Sequence, residues 1–191
     1  MTGTFRGTRS HFLLSVLAPS ILASISDAAS RPAQVPRSSD TGKYRAWLEK
    51  EVRHGLVMLP YYSVFDNLAF KTEGHRVTLL GQVVRPATKA DAEARVKKIE
   101  GITGVINQIE VLPASPMDDE LRWKLYRALY SAPMLEKYAI QAVPPIHIIV
   151  KNGHVTLEGV VETESDKNVA NIRASGVSGT FSVTNNLRVE K

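Results

Sequence analysis

The sequence of 191 residues contains no cysteine. This absence excludes disulfide bonds, thiol catalysis and thiolate metal sites, and it excludes anchoring through a lipid-modified N-terminal cysteine. The chain also lacks a long uninterrupted apolar run. Its best candidate, FLLSVLAPSILASI, is broken by Pro19 and is too short to be a persuasive membrane-spanning helix, which needs about 20 apolar residues.

The first thirty residues are typical of an export signal rather than of a folded segment. Arg6, Arg9 and His11 precede the apolar run, and the small residues SDAAS follow it. Charged, apolar and small residues in this order are typical of a secretory leader. We therefore predict a signal peptide over residues 1–29, a flexible linker over 30–42 and a periplasmic location. An uncleaved interfacial anchor and a disordered tail are the alternatives.

The bulk composition is that of a globular, mildly basic protein. Apolar residues make up 43% of the chain and charged residues 23%, which is enough hydrophobic material to build cores. The formal net charge of +5 favours contact with anionic surfaces without specifying lipid, nucleic acid or acidic protein. Nucleic acid is disfavoured as a partner because the basic residues are dispersed among acidic ones.

The chain repeats itself at a spacing of 78 residues. VTLLGQVV in the first half corresponds to VTLEGVV in the second, and the register continues without a gap from Gly81 and Gly159 to Asn107 and Asn185. Chance does not preserve identities and register over so many positions. We therefore predict two tandem domains, residues 43–114 and 115–191, called here the first and second repeats.

Each repeat contains two alternating runs separated by a two-residue turn. Asn152-Gly153 is the strongest short hairpin pattern, and Gly74-His75 places glycine first. Turns of this length fix the register, so that Phe70 faces Leu79 and Ile148 faces Leu157. One face of each hairpin is apolar, and we expect the opposite polar face to be exposed to solvent.

The order of elements in each repeat is helix, strand, strand, helix, strand. ATKADAEARVKKI and ESDKNVANIRAS have the spacing of amphipathic helices, and Thr88 followed by Asp91 resembles a capping box. A strand joined to another strand through a helix is most simply a right-handed parallel crossover. The predicted fold class is α+β, with two small α-β-β-α-β domains, each a three-stranded mixed sheet with two helices on one face.

A set of motif residues occurs in both repeats: Val77, Leu79, Gly81, Val83, Gly104, Val105, Asn107 and Val111, and then Val155, Leu157, Gly159, Val161, Val183, Asn185 and Val189. This doubled set resembles the BON domain, a family named for bacterial osmotic-stress and nodulation proteins. The second repeat departs from the pattern at Ser182, which replaces a glycine. The resemblance implies a non-enzymatic envelope protein associated with phospholipid surfaces or with stress protection.

A lipid contact is predicted on the opening helix of the second repeat, DDELRWKLYRALYS. On a helical wheel the leucines fall together and should face the sheet. Aromatic rings with polar ends favour a membrane interface, where arginine pairs with phosphate. The alternative is that the aromatic face packs against the first repeat or against the SAPMLEKYAIQAVPP connection. The candidate surface residues are Trp123, Tyr126, Arg127 and Tyr130.

The sequence offers no catalytic, metal or cofactor site. His147 and Glu158 are predicted cross-strand neighbours, as are Lys151 and His154, but a flat sheet face without a nucleophile or cleft favours polar pairing over acid/base chemistry. The repeated asparagine in the final strands is expected to bond to a neighbouring backbone.

Three functions follow from these observations. The first is a periplasmic module that binds anionic phospholipid or maintains the envelope. The second is a stress-induced chaperone or protein-protein adaptor that uses open sheet faces or edges. The third, an enzyme, lacks a recognisable pocket, so no small-molecule substrate is expected.

Overall fold

The computed structural model describes residues 41–141 and 143–190. The predicted signal peptide, residues 1–29, lies outside them. So does the predicted linker, residues 30–42, apart from its last two positions, which begin the first helix. The helix therefore starts two residues before Lys43, where we expected ordered structure to begin.

The first repeat folds in the predicted order. Apolar residues at helical spacing lie on one side of its helices, and apolar residues alternate with polar ones along its strands. Its elements are α1 (Thr41–Val57), β1 (Asn67–Glu73), β2 (Arg76–Val83), α2 (Pro86–Lys97), β3 (Gly104–Asn107) and β4 (Glu110–Val111). Strand β1 pairs antiparallel with β2, and β3 and β4 both run parallel to β2.

The second repeat has the same topology with an added 3₁₀ turn, Glu136–Tyr138. Strand β5 pairs antiparallel with β6, and β7 and β8 run parallel to β6. The α+β class and the two mixed sheets are thus confirmed, but each sheet has four strands rather than the predicted three, because the final strand of each repeat is divided in two. The main elements are α3 (Pro116–Tyr130), β5 (Ile146–Lys151), β6 (His154–Val161), α4 (Glu164–Ser175), β7 (Ser182–Asn185) and β8 (Arg188–Val189).

An asparagine breaks the final strand of each repeat into two short segments. The Asn107 amide nitrogen donates to the Lys89 carbonyl at 3.0 Å, and its side-chain oxygen accepts from the Ile109 nitrogen at 3.1 Å. Asn185 makes the equivalent bonds to Lys167 and Leu187 at 2.9 and 3.1 Å. The predicted structural role of the repeated asparagine is therefore confirmed, and its bonds tie each final strand to the preceding helix.

Both hairpins have the predicted register, with Phe70 opposite Leu79 and Ile148 opposite Leu157. In the second hairpin Asn152 and Gly153 have φ of 53° and 76°, as a type I′ turn requires. The Asp118 carboxylate accepts from both turn nitrogens, at 2.8 and 2.9 Å. This turn is therefore fixed by the first turn of α3 as well as by its own sequence.

A glycine in the second strand of each hairpin permits close approach of the neighbouring strand. Gly81 and Gly159 have φ of +108° and +126°, where side chains other than hydrogen are strained. A Cβ would overlap the carbonyl oxygen of Asn67 at Gly81 and that of Pro145 at Gly159. The motif glycine is thus a packing requirement of the hairpin, as its position in a strand predicted.

The described residues bury two hydrophobic clusters, one for each repeat. The first is built from α1, β2 and α2 together with Ile109. The second is built from α3, β5, β6 and α4 together with Leu187. Fully buried leucines, isoleucines and valines dominate both clusters, so each repeat has its own apolar interior.

The segment between α1 and β1 joins the two clusters. Leu59 belongs to the first cluster, whereas Val64, only 8% exposed, belongs to the second. The Val64 carbonyl also accepts a hydrogen bond of 2.8 Å from the Ile148 nitrogen on β5. The first repeat therefore contributes both a core side chain and a backbone contact to the second.

The expectation that the polar sheet faces are exposed is wrong in part. On the outer face of the second sheet Ile149 is 5% exposed and His147 is half-buried. The Tyr62 ring stacks on His147 with centroids 5.5 Å apart, and Lys151 forms a 2.5 Å ion pair with Glu110 of the first repeat. The physical reason is that the first repeat covers part of this face.

Candidate functional site

Helix α3 is positioned by its own N-terminal sequence. The Ser115 hydroxyl accepts from the Asp118 nitrogen at 3.2 Å, and Pro116 occupies the first turn, where its missing N–H has no cost. Leu121, Leu125 and Leu129 are almost fully buried. The leucine stripe that the sequence predicted to face the sheet is therefore confirmed.

The four residues predicted to form one surface on α3 do not share one environment. Trp123 is 55% exposed and Arg127 is exposed, whereas Tyr126 is half-buried. Tyr130 is only 6% exposed, and its hydroxyl donates to the Ile146 carbonyl at 2.7 Å. Its assignment to the surface is wrong, because the end of α3 lies against strand β5 and that contact encloses the ring.

The aromatic side chains of α3 form a cluster with Phe65 from the first repeat. The Phe65 ring meets Trp123 edge-on at 5.1 Å and Tyr126 at 6.3 Å. Trp123 in turn meets Tyr126 at 5.8 Å, and Tyr126 lies 4.9 Å from Tyr130. The alternative interpretation, packing against the first repeat, therefore accounts for one side of the cluster, while the rest of Trp123 faces solvent.

A cleft of about 610 Å³ lies beside this cluster, between the two repeats. The guanidinium of Arg85 lies over the Tyr61 ring at 5.1 Å, in cation–π geometry. Both of these side chains are exposed. The cleft is lined by Pro60, Tyr61, Tyr62, Ser63, Phe65, Asp66, Val84, Arg85, Asp119, Arg122 and Trp123.

Arg122 forms the buried wall of the cleft and is 2% exposed. One terminal nitrogen donates to the Val150 carbonyl at 2.7 Å, and the other pairs with the Asp119 carboxylate. The Nε of Arg122 has no hydrogen-bond partner among the described residues. The cation is neutralised locally, so it serves first to hold α3 against β5.

Asp66 fixes the loop at the floor of the cleft. Its carboxylate accepts from the nitrogen and hydroxyl of Ser63 at 2.9 and 2.8 Å, and from the Val84 nitrogen at 2.8 Å. With three donors it has little capacity left for a ligand. Burial and the charge of Asp66 raise the pKa of nearby Tyr62 to about 12, so this phenol stays neutral at physiological pH.

His147 and Glu158 are cross-strand neighbours, as are Lys151 and His154, but their side chains bond to other partners. The His147 Nε2 lies 3.3 Å from the Tyr62 hydroxyl, whereas Glu158 accepts from Asn186 at 2.7 Å. Lys151 pairs with Glu110, while His154 pairs with the Ser182 hydroxyl at 2.7 Å. Within residues 41–141 and 143–190, no group of three or more acidic or histidine side chains is placed to hold a metal.

Three residues of the cleft, Tyr61, Arg85 and Arg122, were not predicted from the sequence. Tyr61 and Arg85 lie in connecting segments, where no periodicity indicates which side chains will meet. Arg122 occupies the same helical stripe as Leu125 and Leu129, and this position in the sequence could have indicated its burial.

Comparison with known proteins identifies the repeated motif. A family model described as the BON domain matches residues 45–113 and again residues 118–191. No curated protein sequence matches the chain. Among the residues that the structure describes, no helix combines the length and hydropathy that crossing a bilayer requires.

Two solved structures of CdsD, a structural protein of the type III secretion system of Chlamydia trachomatis, resemble this chain weakly. Each is 11% identical and covers 75% of the chain, with a TM-score of 0.27. The alignments span 98% of one CdsD chain, a C-terminal domain, and 93% of the other. At this TM-score the likeness supports no argument about fold or function.

Proposed function

We propose that this chain, which belongs to the BON domain family, is a periplasmic envelope protein that binds anionic phospholipid surfaces. Members of the family are generally non-catalytic and typically exported. On this proposal it contributes to osmotic and envelope stress protection by contact rather than by catalysis. The contact surface, called here the α3 surface, comprises Trp123, Tyr126, Arg127, Tyr61 and Arg85.

The exposure of Trp123 is the observation that carries the proposal. The indole is held edge-on by Phe65 and Tyr126 but remains 55% exposed. A tryptophan fixed in this way loses little additional rotamer freedom on binding. It can bury its ring among lipid headgroups while its N–H remains hydrated.

The charges around Trp123 favour an anionic surface. Arg127 follows Trp123 by one helical turn and is exposed. Arg85 lies over Tyr61 on the rim of the cleft. A guanidinium can donate two hydrogen bonds to one phosphate, and basic residues near an anionic membrane contribute about 1 kcal/mol each.

The proposal is tested by sedimenting the full chain with vesicles of phosphatidylglycerol and phosphatidylcholine, and with phosphatidylcholine alone. We expect binding to the anionic vesicles that weakens as salt is raised. The double variant Trp123→Ala with Arg127→Glu should bind at least about tenfold more weakly, from the lost ring and the reversed charge.

A matched control lies on α4. Ile172 is 69% exposed and is followed by the exposed Arg173, so Ile172→Ala with Arg173→Glu makes a similar apolar and charge change elsewhere. This control should retain binding. Unchanged sedimentation of the Trp123 variant, or equal losses in both variants, would reject the α3 surface.

A fluorescence measurement gives a second readout. The chain has two tryptophans, so Trp47→Phe leaves Trp123 as the sole indole emitter. Its emission should shift to the blue when anionic vesicles are added, because the ring leaves water. Emission that does not move under conditions of full sedimentation would place the contact elsewhere.

A further inference from the structure

The two sheets differ at their outer edge strands, β1 and β5. In the first sheet the carbonyls of His75, Leu79 and Val83 accept from the segment that contains β3 and β4. The backbone groups of the intervening residues of β2 point the opposite way and therefore face β1. With the observed register, the backbone groups of β1 that point away from the sheet belong to Leu68, Phe70 and Thr72.

The corresponding edge in the second sheet is closed by the rest of the chain. The outward residues of β5 are Ile146, Ile148 and Val150, by the same alternation. The Ile146 carbonyl accepts from the Tyr130 hydroxyl and the Val150 carbonyl from Arg122, both at 2.7 Å. The Ile148 nitrogen donates to the Val64 carbonyl at 2.8 Å. A further strand cannot pair there without displacing these contacts.

The outward backbone groups of β1 have no such partners among the described residues. On α3, the residues that close the edge of β5 are Arg122 and Tyr130. Helix α1 corresponds to α3 at a spacing of 77 residues, because the buried residues of the two helices then coincide, as Leu48 and Leu125 do. At this spacing the equivalents are Arg45 and Arg53, both exposed. At the two positions where the second repeat has side chains that close the sheet edge, the first repeat therefore has exposed arginines.

A groove of about 710 Å³ runs along the open edge. Its wall includes Arg45 and Arg53 from α1, Lys71 from β1 and Arg188 from β8 of the second repeat. The two acidic side chains in the lining are Glu49 and Glu73. The groove therefore combines strand backbone that has no partner in the described part of the chain with an excess of cations.

One of the two carboxylates is already neutralised. Arg45 donates to Glu49 at 2.8 Å, and the Thr72 hydroxyl donates to the same oxygen at 3.2 Å. The hydrogen bond from Arg45 is the main reason that the pKa of Glu49 lies below its ordinary value. Among the described residues that line the groove, four cations stand against two carboxylates, and this excess of positive charge favours an anionic occupant.

We propose that the β1 edge and its groove bind an extended acidic segment of a partner protein, which adds to the first sheet as a further strand. Backbone hydrogen bonds to Leu68, Phe70 and Thr72 supply the affinity, and the groove cations select glutamate and aspartate side chains. This inference does not rest on the proposed lipid contact, because the groove and the α3 surface have no residue in common.

A second copy of the chain is a poorer occupant. Pairing β1 with the β1 of another molecule would bring two grooves of the same charge together. Like charges across strands are destabilising. An acidic partner is therefore favoured by the same residues that disfavour self-association.

The test uses the full chain and a fluorescein-labelled, N-acetylated and C-amidated peptide, TVEVDVT, measured by fluorescence anisotropy. Thr72→Pro removes one outward N–H without removing a bond to β2, since proline is tolerated at the open side of an edge strand. Thr72→Val is the matched control, because both variants lose the hydroxyl bond to Glu49. We expect Thr72→Pro to weaken binding on the order of fivefold to tenfold and Thr72→Val to change it less than about twofold.

The charge requirement has its own variant and peptides. Arg53→Glu with Arg188→Glu should also weaken TVEVDVT binding by on the order of tenfold or more. The peptide TVKVKVT, with cationic side chains, and TVEPDVT, with a central proline, should not saturate. Thermal melts establish that each variant is folded, and amide exchange at Leu68, Phe70 and Thr72 should slow when TVEVDVT is bound.

Several results would overturn the inference. Equal affinity of Thr72→Pro and Thr72→Val would show that no strand is added, and equal binding of the lysine peptide would exclude charge selection. A wild-type dimer that Thr72→Pro dissociates would make a second copy the occupant. Anionic vesicle binding that is lost in Thr72→Pro but kept in the Trp123 variant would make the groove a lipid site.

Discussion

The guanidinium of Arg122 donates a hydrogen bond to the carbonyl oxygen of Val150 at 2.7 Å, and Arg122 is 2% exposed. This contact joins the middle of α3 to the outer edge of β5. An arginine, rather than a leucine, occupies this position of the buried stripe because its guanidinium reaches a backbone acceptor that the described strands leave unpaired. The same residue thus anchors the helix and closes the sheet edge.

Replacing this arginine should destabilise the protein. Arg122→Met keeps much of the apolar volume but leaves the buried Val150 carbonyl without its donor, and we expect a loss of about 1–3 kcal/mol in the free energy of unfolding. Urea denaturation followed by circular dichroism measures it. Arg45→Met, at the equivalent exposed position in the first repeat, should cost less than about 1 kcal/mol. Equal costs would contradict the role assigned to Arg122.

Removing part of Val64 should loosen the second repeat, although Val64 belongs to the first. Val64→Ala deletes two methyl groups from the second cluster, and the expected loss is about 1–3 kcal/mol. Hydrogen exchange should accelerate at the Ile148 amide, which donates to the Val64 carbonyl. Val57→Ala, at a half-exposed position on α1, should change stability by less than about 0.5 kcal/mol. Unchanged exchange at Ile148 would show that the contact is not stabilising.

Acid should destabilise the protein through His147. Burial lowers the pKa of this imidazole below its ordinary 6.5, although backbone hydrogen bonds with Asp66 and Ser63, and the negative charges of Asp66 and Glu158, act in the opposite direction. Because the folded-state pKa is depressed, the unfolded state binds more protons between about pH 6.5 and the folded-state pKa, and stability is lost as the pH falls through that window.

The variant His147→Gln tests this dependence. Its free energy of unfolding should fall less than that of the wild type between about pH 7 and pH 5, as measured by urea titrations at each pH. His154→Gln serves as the control, since His154 is exposed and the change should leave the slope in place. If His147→Gln and the wild type have the same slope, the burial of His147 does not govern acid stability.

The motif glycine of the hairpin should not tolerate a side chain. Gly81→Ala would force a Cβ onto the Asn67 carbonyl at a positive φ of 108°, and we expect a loss of more than about 3 kcal/mol. Gly74→Ala is the control, because its φ of 58° is also positive but nothing lies within 4 Å of a Cβ there. That change should cost about 1 kcal/mol. Calorimetric melting temperatures compare them, and similar values for the two variants would contradict the close approach.

Local sequence patterns were sufficient for the hairpins and inadequate at one helix start. The two-residue turns set the register of both hairpins because strand pairing has a strict period of two. The predicted capping box at Thr88 and Asp91 is wrong, since α2 begins at Pro86 and Thr88 is 1% exposed within it. In α4 the cap is Thr163, whose hydroxyl accepts from the backbone nitrogen of Asp166. The second repeat therefore carries the cap that the first repeat lacks.

The candidate surface was predicted only in part for a related reason. A helical wheel assigns directions from one helix alone, and it placed Tyr130 beside Trp123. The neighbouring strand encloses Tyr130 through the Ile146 carbonyl, whereas Trp123 lies at a point where Phe65 covers one side. Burial depends on the partner element, which the wheel does not contain.

The amino-acid sequence by itself determined the duplication, the order of elements, the hairpin registers and the structural role of the repeated asparagine. These features follow from periodicity and turn chemistry, which act over a few residues. Only the tertiary structure decided that Val64 enters the second cluster, that Arg122 and Tyr130 close β5, and that none of the described residues closes the β1 edge in the same way. Those outcomes depend on which elements meet across long sequence separations, and no local pattern encodes such contacts.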